Sequence, residues 1–479
     1  MKNVLILMTD QLRRDVLGCY GGKEVETPYI DSLAEEGILL ENCYTPSAVC
    51  TPSRGCFMTG RYPHNNGALS NGRPVGAGEH GFAEAFCSAG YRTGYAGKWH
   101  LGNHRERGES LEGCNRLGFE CWDYQVEFGH CKSVERKDGR LILSGQVGDE
   151  RSYTTDWLAD ETIRFLKEQR KEQPFLFMVS MPDPHQPFRV RKPYDTMFDP
   201  LDMEIPETFY EEKLPDWAEE DEWGRQHYFP AGLFEREDHF RRLKAQYLGA
   251  VKCIDDNVGK ILHALRKENL LEETVVIFTT DHGDYLGEHG LMEKNNLYES
   301  VYHIPMLVRL PECKKAGFRS PAWLRMTDFA PTLAGLLGIP YSYPCDGEDL
   351  SGELLAGKEG RKEVCIFPSD VPRTGIITEE YELAYVGRGY RGGMFHDHIL
   401  FDRKRDPLQR ENLYGRPEYA GITEVLKEKI KEYHRRYIPP IPCFPGRCGA
   451  AAVPTELCSK FTVRLRFSCI IIPFPCIYW

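Results

Sequence analysis

Short apolar runs rich in strand-forming residues alternate along this chain with longer segments in which apolar positions recur at helical spacing. The runs predict strands at residues 3–8, 92–97, 174–180, 274–279 and 305–310. The longer segments predict helices at residues 28–36, 152–171, 239–267 and 327–337. Because this alternation is typical of α/β proteins, the sequence predicts a large, mostly parallel or mixed sheet sandwiched by helices.

The pattern changes after about residue 364. Residues 373–402 alternate in polarity and predict a small antiparallel sheet. Residues 422–436 predict a charged helix. The apolar face of that helix is expected to carry Val425, Leu426, Ile430 and Tyr433.

These changes predict a large domain at residues 1–364 and a smaller C-terminal α+β subdomain at residues 365–437. Residues 195–237 are acidic and aromatic and predict a long surface excursion. Residues 438–479 are rich in proline and cysteine, unlike the rest of the chain. We interpret this tail as a frameshifted end or a packed appendage that lies outside the active site. Five cysteines lie in it: Cys443, Cys448, Cys458, Cys469 and Cys476.

The composition, with 41% hydrophobic and 28% charged residues, is that of a soluble globular protein. A formal charge of −12 disfavours nucleic acid or an anionic membrane as a partner, because either would repel the surface as a whole. No apolar run approaches the roughly 18 residues of a spanning helix. The apolar run at residues 4–8 is too short for a signal peptide. We therefore expect a cytoplasmic protein.

The 17 cysteines are odd in number and follow no repeating interval. In a chain of this length, such usage favours reduced, partly buried thiols over a disulfide framework. Cys50 and Cys56 have no second pair at zinc-finger spacing, so a structural zinc site is not expected. From the residues alone, Cys50 could be a metal ligand, a disulfide partner, a core thiol or a reacting atom.

Polar residues follow four of the predicted strands. In open α/β sheets, ligands bind beyond the carboxyl ends of the strands, so these side chains are expected to converge. Carboxylate, amide and imidazole groups favour a hard divalent cation, and they are supplied by Asp10, Gln11, Asp281 and His282. Cationic and proton-carrying groups favour a tetrahedral oxyanion, and they are supplied by Arg54, Lys98, His100, His185 and Lys294.

Four segments of the chain resemble those of a known family. CTPSR at residues 50–54, with MTGR at 58–61, resembles the signature of the type I sulfatases in the alkaline-phosphatase superfamily. GKWHLG at residues 97–102 resembles the second signature of that family. DHGDYLGEHGLMEK at residues 281–294 resembles its metal and lysine segment, and LFDRKRDPLQRENL at 400–413 its closing motif. The resemblance extends from residue 3 to about residue 436.

The resemblance implies an alkaline-phosphatase-like fold and hydrolysis of a sulfate ester. It implies that Cys50 is oxidised after translation to formylglycine by a sulfatase-maturation enzyme. The hydrated aldehyde then attacks sulfur and expels the alcohol, and elimination of sulfate restores the aldehyde. One divalent cation, Ca²⁺ with Mg²⁺ as the alternative, would be bound by the modified Cys50 together with Asp10, Gln11, Asp281 and His282.

The resemblance also implies roles for the remaining site residues. Arg54 would steady the hydrate, and Lys98 and Lys294 would hold sulfate oxygens. His100 would be the base that releases sulfate, and His185 would protonate the leaving oxygen, with these two roles open to exchange. Many members of the family carry two aspartates where this chain has Asp10 and Gln11, which lowers the negative charge around the cation by one. We expect cation binding to persist.

Two alternatives stay open at this point. One is a phosphodiesterase or phosphonate monoester hydrolase of the same superfamily, and the other is a catalytically silent anion-binding relative with unmodified Cys50. The expected substrate is a small sulfated molecule, a carbohydrate O-sulfate on family grounds, and the oligomeric state is open. The leaving-group pocket is expected to draw on residues 122–124, Trp217, Trp223, Arg373 and His396.

Overall fold

In its described residues, the computed structural model contains two β-sheets and a hairpin. It describes residues 1–102, 114–126, 130–138, 140–169, 172–211, 215, 233–294, 297–311, 316–366, 373–386 and 398–437. The strands in these ranges are β1 (Asn3–Asp10), β2 (Ile38–Tyr44), β3 (Arg92–Lys98), β4 (Cys121–Val126), β5 (Ser133–Lys137), β6 (Arg140–Ser144), β7 (Phe175–Pro184), β8 (Thr274–Thr280), β9 (Met306–Arg309), β10 (Phe318–Arg325), β11 (Glu363–Ile366), β12 (Arg373–Thr378), β13 (Tyr381–Val386) and β14 (Ile399–Asp402).

The helices differ widely in length. The α-helices of the described ranges are α1 (Pro28–Glu35), α2 (Cys50–Thr59), α3 (Pro63–Asn66), α4 (Phe82–Ser88), α5 (Thr154–Lys167), α6 (Leu233–Lys267), α7 (Glu299–Tyr302), α8 (Phe329–Leu336), α9 (Ser351–Ala356) and α10 (Ala420–Tyr437). Short 3₁₀ turns lie at Arg14–Val16, Gly18–Tyr20, Tyr194–Thr196, Pro200–Asp202, Leu271–Glu273, Glu288–Gly290, Met326–Asp328 and Pro417–Tyr419.

The larger sheet has eight strands in the order β10-β2-β9-β8-β1-β7-β3-β4. Strand β9 is antiparallel to β2 and β8, and the other neighbouring pairs are parallel. β1 is buried on both faces because helices cover both. Leu5 and Leu7 pack with α1, α5 and α6 on one face, and Val4, Ile6 and Met8 pack with α2, α4 and α8 on the other. This arrangement confirms the predicted fold class.

All five predicted strands are present, at β1, β3, β7, β8 and β9. The predicted surface excursion at 195–237 is wrong at its end, because α6 already begins at Leu233. The charged residues there include glutamate and arginine, which favour helix as much as they favour solvent. Strands β2 and β10 and the β5-β6 hairpin were not among the predicted elements. No helix in the described ranges is long and apolar enough to cross a membrane.

The smaller sheet is antiparallel, in the order β11-β12-β13-β14, and α10 packs against it. Leu426 and Ile430 are buried there, as predicted, and Tyr433 is partly buried. Val425 is 58% exposed, so its place on the buried face was wrong. Positions 425 and 426 are adjacent on the helix, and only Leu426 points at the sheet. The division at residue 364 stays a prediction, as does the role of residues 438–479, which lie outside the described ranges.

One carboxyl group of the smaller sheet is fully buried. Glu382 on β13 accepts a hydrogen bond from Nε2 of Gln409 at 2.6 Å, and its other oxygen has no hydrogen-bond partner among the described residues. Burial, reinforced by the nearby Glu299 carboxylate, raises the pKa of Glu382 to about 8. Glu382 is therefore protonated in the folded protein at neutral pH.

This buried acid predicts a pH dependence of stability. A raised pKa in the folded state stabilises the fold below the unfolded pKa, and that contribution is lost as pH rises through the folded value. Between about pH 4.5 and 8, Glu382→Gln is expected to remove a decline on the order of 4 kcal/mol in the free energy of unfolding. Urea unfolding across this range measures the effect, with the exposed Glu418→Gln as control. Parallel declines in all three proteins would contradict it.

Candidate active site

The site lies at the carboxyl edge of the larger sheet, where strand pairing brings distant residues together. Asp10 ends β1, and the register pairs Thr9 with Thr280, so that Asp281 follows directly alongside. Asp10 also pairs with Pro184 at the end of β7. Residues that are far apart in the sequence thus share one edge, as expected for parallel strands.

Four buried side chains form a compact group of ligand atoms. One ligand atom from each of Asp10, Cys50, Asp281 and His282 lies within 4.8 Å of the other three. The Cys50 sulfur is 3.2 Å from Nε2 of His282 and 3.8 Å from Oδ1 of Asp10. Cys50 occupies the first position of α2, a helix whose every residue is buried. The sulfur therefore faces the carboxylates and not solvent.

Gln11 lies beside this group in a left-handed backbone conformation, with φ of 64°. Its backbone N–H donates to Oδ1 of Asp281 at 3.1 Å. The side-chain oxygen accepts a hydrogen bond from Nζ of Lys294, and the amide nitrogen donates to Oδ2 of Asp284, both at 2.5 Å. The amide therefore links the lysine to a buried carboxylate.

Arg54, one turn after Cys50 on α2, connects the two strand-end carboxylates. Its Nε donates to Oδ2 of Asp281 at 2.9 Å, and its Nη2 is 3.6 Å from Oδ2 of Asp10. Its Nη1 donates to the carbonyl of Lys98 and to Oγ of Ser180, at 2.8 and 2.7 Å. The guanidinium is fully buried, so these partners provide the stabilisation that water cannot.

Lys98 is also buried and its ammonium pairs with Oδ2 of Asp10. Burial would raise the pKa of Asp10, but the positive charges of Lys98 and Arg54 lower it well below its usual range. Asp10 is therefore a carboxylate at neutral pH. Its Oδ2 faces the lysine while its Oδ1 faces Cys50 and His282.

His185 lies beside Lys294. Its Nδ1 lies 2.7 Å from the carbonyl of Gln186, and its Nε2 lies 3.0 Å from Nζ of Lys294. Because the carbonyl only accepts and the ammonium only donates, these contacts define a neutral ring with the proton on Nδ1. Burial and the Lys294 charge lower the pKa of His185 well below its usual value.

His100 has a positive φ of 58° and is buried. Its carbonyl accepts a hydrogen bond from Oγ1 of Thr51, the neighbour of Cys50, at 2.8 Å. The loop after β3 is thereby attached to the start of α2. All the residues that the sequence analysis placed in the site thus lie at this edge of the sheet, although their roles stay predictions.

The donor set fits a hard divalent cation. Oxygen ligands of Ca²⁺ stand at about 2.3–2.6 Å from the ion, so two ligands on opposite sides of it are separated by about twice that distance. The observed limit of 4.8 Å within the group agrees with this spacing.

The sequence analysis missed three supporting residues. Ser180 holds Arg54, Asp284 holds Gln11, and Lys132 donates to Asp183 at 2.6 Å and to the carbonyl of His185 at 3.1 Å. Asp284 could have been found, because it stands three residues after Asp281 in a polar strand end. Lys132 carries no sequence signal, since only the tertiary fold brings it to His185.

The side chains expected to line the leaving-group pocket lie outside the described residues. Trp217, Trp223 and His396 lie outside the described residues, as do the side chains of 122–124 and Arg373.

The fold and the site together define an alkaline-phosphatase-like hydrolase. The sulfatase family model matches residues 2–339 of the chain, and the model named N-sulphoglucosamine sulphohydrolase, C-terminal, matches residues 287–436. The first match covers more than half of the chain. The chain therefore belongs to the sulfatase family, and the protein is a sulfuric ester hydrolase.

Similar proteins have been characterised or solved. An N-acetylglucosamine-6-O-sulfatase of Bacteroides thetaiotaomicron is 26% identical, over 91% of this chain and 86% of its own length. A structure solved with its substrate D-glucosamine-2-N,6-O-disulfate aligns with a TM-score of 0.77 at 25% identity, covering 91% of this chain and 98% of that one. The phosphonate monoester hydrolase of Agrobacterium radiobacter shares the fold, with a TM-score of 0.73 at 23% identity over 91% and 96% of the two chains.

Substitution of Gly97 tests how far the geometry of the site depends on the position of β3. Its φ is 101°, and a Cβ at this position would lie 2.0 Å from the carbonyl oxygen of Ser180, next to the anchors of Arg54. Gly97→Ala is expected to displace Lys98, with a loss of about 100-fold in turnover. It is also expected to destabilise the fold by about 1–3 kcal/mol more than Gly90→Ala. Sulfatase assays and urea unfolding measure the two effects.

Gly90→Ala is the matched control. Gly90 also has a positive φ, of 88°, but a Cβ there meets nothing within 4 Å. The control therefore carries the backbone strain without the collision. Equal losses in the two variants would show that the close approach of β3 and β7 has no part in forming the site.

Proposed function

We propose that this sulfatase hydrolyses a carbohydrate O-sulfate, using a formylglycine made from Cys50 and one bound divalent cation. The observation that carries the proposal is the position of Cys50. Its sulfur lies within the group formed by Asp10, Asp281 and His282, at the start of the buried helix that also carries Arg54. A thiol that only packs in the core is expected among apolar side chains, whereas Cys50 lies among three ionisable groups.

The cation would be held by Asp10, Gln11, Asp281 and His282, and Ca²⁺ suits their mainly oxygen donors. When bound, it would act as a Lewis acid that favours the ionised form of a nearby hydroxyl and offsets negative charge on the sulfate. The hydrated formylglycine would supply the nucleophilic oxygen. Arg54 reaches both Asp10 and Asp281 and keeps these carboxylates in place.

Lys98 and Lys294 both reach the site and would hold the sulfate oxygens. Lys98 contacts Asp10, whereas Lys294 contacts Gln11 and His185. Two ammonium groups around a tetrahedral anion stabilise charge that moves from sulfur to the leaving oxygen. Sulfate binding would also draw Lys294 away from Nε2 of His185.

His185 would then protonate the leaving oxygen through Nε2. The ring is neutral while it accepts from Lys294, and a bound anion favours the protonated form. Lys132 holds the carbonyl of His185 and so limits the movement of this loop. His100, attached to α2 through Thr51, would act as the base that releases sulfate.

A carbohydrate substrate is supported by the relatives. The Bacteroides enzyme is named for N-acetylglucosamine 6-O-sulfate, and the solved relative was bound to a sulfated glucosamine. The phosphonate monoester hydrolase shares only the fold at its level of identity. Sulfate is therefore the first choice for the reacting group, and a maturation enzyme that recognises CTPSR at residues 50–54 is the required partner.

The modification of Cys50 can be detected by mass spectrometry of a tryptic peptide. Conversion to formylglycine and dehydration on denaturation lower the mass by about 18 Da. Protein made with a maturation enzyme should show this loss in the tryptic peptide ending at Arg54, while Cys43 in the same peptide is alkylated as a thiol. Cys50→Ala should stay folded and lose at least about 1,000-fold in turnover.

Cys56→Ala is the control for this variant, because Cys56 is a fully buried thiol on the same helix. It should keep its turnover even if the cavity lowers its stability. An active enzyme with an unmodified Cys50 thiol would contradict the proposal and favour a different nucleophile.

The substrate class can be measured as a ratio of kcat/KM values. We expect glucosamine sulfated at N2 and O6, or N-acetylglucosamine 6-sulfate, to exceed phenyl phosphonate and phosphate diesters by at least about 100-fold. The panel should include an aryl sulfate, which tests the sulfate chemistry without a sugar. Preference for the phosphonate or the diester would overturn the assignment, whereas preference for the aryl sulfate would overturn only the sugar.

A further inference from the structure

We propose that Asp284 supplies the negative charge that Gln11 does not carry, and that it holds the Gln11 amide with its oxygen toward the cation and Lys294. The inference rests on the proposed function, because it assumes the cation site. Asp284 is therefore a positioning residue that acts through Gln11. The juxtaposition joins the end of β1 to the loop after β8.

The carboxylate of Asp284 is fully buried and surrounded by N–H donors. Its Oδ1 accepts from the backbone N–H groups of Leu286 at 2.6 Å and Glu293 at 3.1 Å. Its Oδ2 accepts from Nε2 of Gln11 at 2.5 Å. Burial raises the pKa of Asp284 to about 6, which is still below neutral pH, and the three donors that converge on its two oxygens favour the ionised carboxylate.

The two neighbours of Gln11 define the orientation of its amide. Asp284 as a carboxylate only accepts hydrogen bonds, and Lys294 only donates them. A rotated amide would place its N–H₂ group against the ammonium and its oxygen against the carboxylate. The observed orientation is therefore the one that satisfies both ends, and it leaves a lone pair of Oε1 for a cation.

Compared with a pair of aspartates at positions 10 and 11, this arrangement keeps the second negative charge but places it on Asp284, further from the cation. A second aspartate at position 11 would place its carboxylate beside Lys294 and form an ion pair with it. The neutral amide holds Lys294 through a hydrogen bond and leaves its charge available for the sulfate. The charge of Asp284, one side chain further away, still attracts the cation through the polarised amide.

A double-mutant cycle on cation affinity tests the inference. Asp284→Asn keeps the shape but removes the charge, and we expect calcium to bind about 10- to 100-fold more weakly. Gln11→Glu places two carboxylates in contact and should weaken the fold and lower affinity. In Gln11→Glu/Asp284→Asn the charge moves to position 11, and the affinity should recover to within about threefold of wild type, a non-additivity expected only of residues in contact.

The measurement is calorimetric titration of calcium into metal-free, matured protein, with far-UV circular dichroism to check folding. Asp156→Asn is the control, because Asp156 on α5 is an equally buried carboxylate that pairs with Arg191, and its loss should leave calcium affinity unchanged. If the Asp284→Asn single variant does not fold, the calcium affinities of Gln11→Glu and of the double variant can still be compared with each other.

The outcomes separate this inference from the proposed function. Wild-type protein that binds no cation overturns both. Calcium binding by wild type with equal affinity in Asp284→Asn, or strictly additive effects of the two substitutions, overturns only the role of Asp284. The double variant should also show a raised KM for the sulfate ester at similar kcat, since Lys294 would now be paired with a carboxylate.

Discussion

The buried guanidinium of Arg54 between the carboxylates of Asp10 and Asp281 is the interaction on which the rest of the site depends. The two carboxylates come from parallel strands and are separated by 271 residues in the chain. Placed together at a dry sheet edge they would repel each other, and removal of a buried partner costs about 3–5 kcal/mol. Arg54 offsets that repulsion and is carried by the same helix that presents Cys50.

From this contact the positions of the other groups follow. Arg54 also binds the carbonyl of Lys98 and the hydroxyl of Ser180, so β3 and β7 are joined to α2 at the point where the site begins. Gln11 accepts a hydrogen bond from Lys294 and donates one to Asp284, so both residues are connected to this set of contacts. The site is thus a continuous set of charged hydrogen bonds, in which Arg54, Lys98 and Lys294 each have a carboxylate or an amide oxygen beside them.

The sequence predicted the strands and the residues at their ends, because the signal for both is local. The buried strands are continuous apolar runs, and polar residues directly after them, such as Asp10 and Asp281, indicate a common edge. Supporting residues that reach the site only through tertiary contacts, and that belong to no motif, were not predicted. Lys132 reaches His185 only through the β5-β6 hairpin and β7, and Val425 differs from Leu426 only in which side of one helix turn faces the smaller sheet. Asp284 was visible as a polar residue, but its contact with Gln11 is a property of the fold.

The central claim is that Cys50 becomes the reacting group of a cation-dependent sulfatase. A crystal structure of the matured enzyme, with calcium located by anomalous scattering, tests it most directly. We expect one ion at about 2.3–2.6 Å from oxygens of Asp10, Gln11 and Asp281, near His282, with a hydrated aldehyde in place of the Cys50 thiol. An active crystal that contains an intact thiol at Cys50, or an ion bound away from these residues, would contradict it.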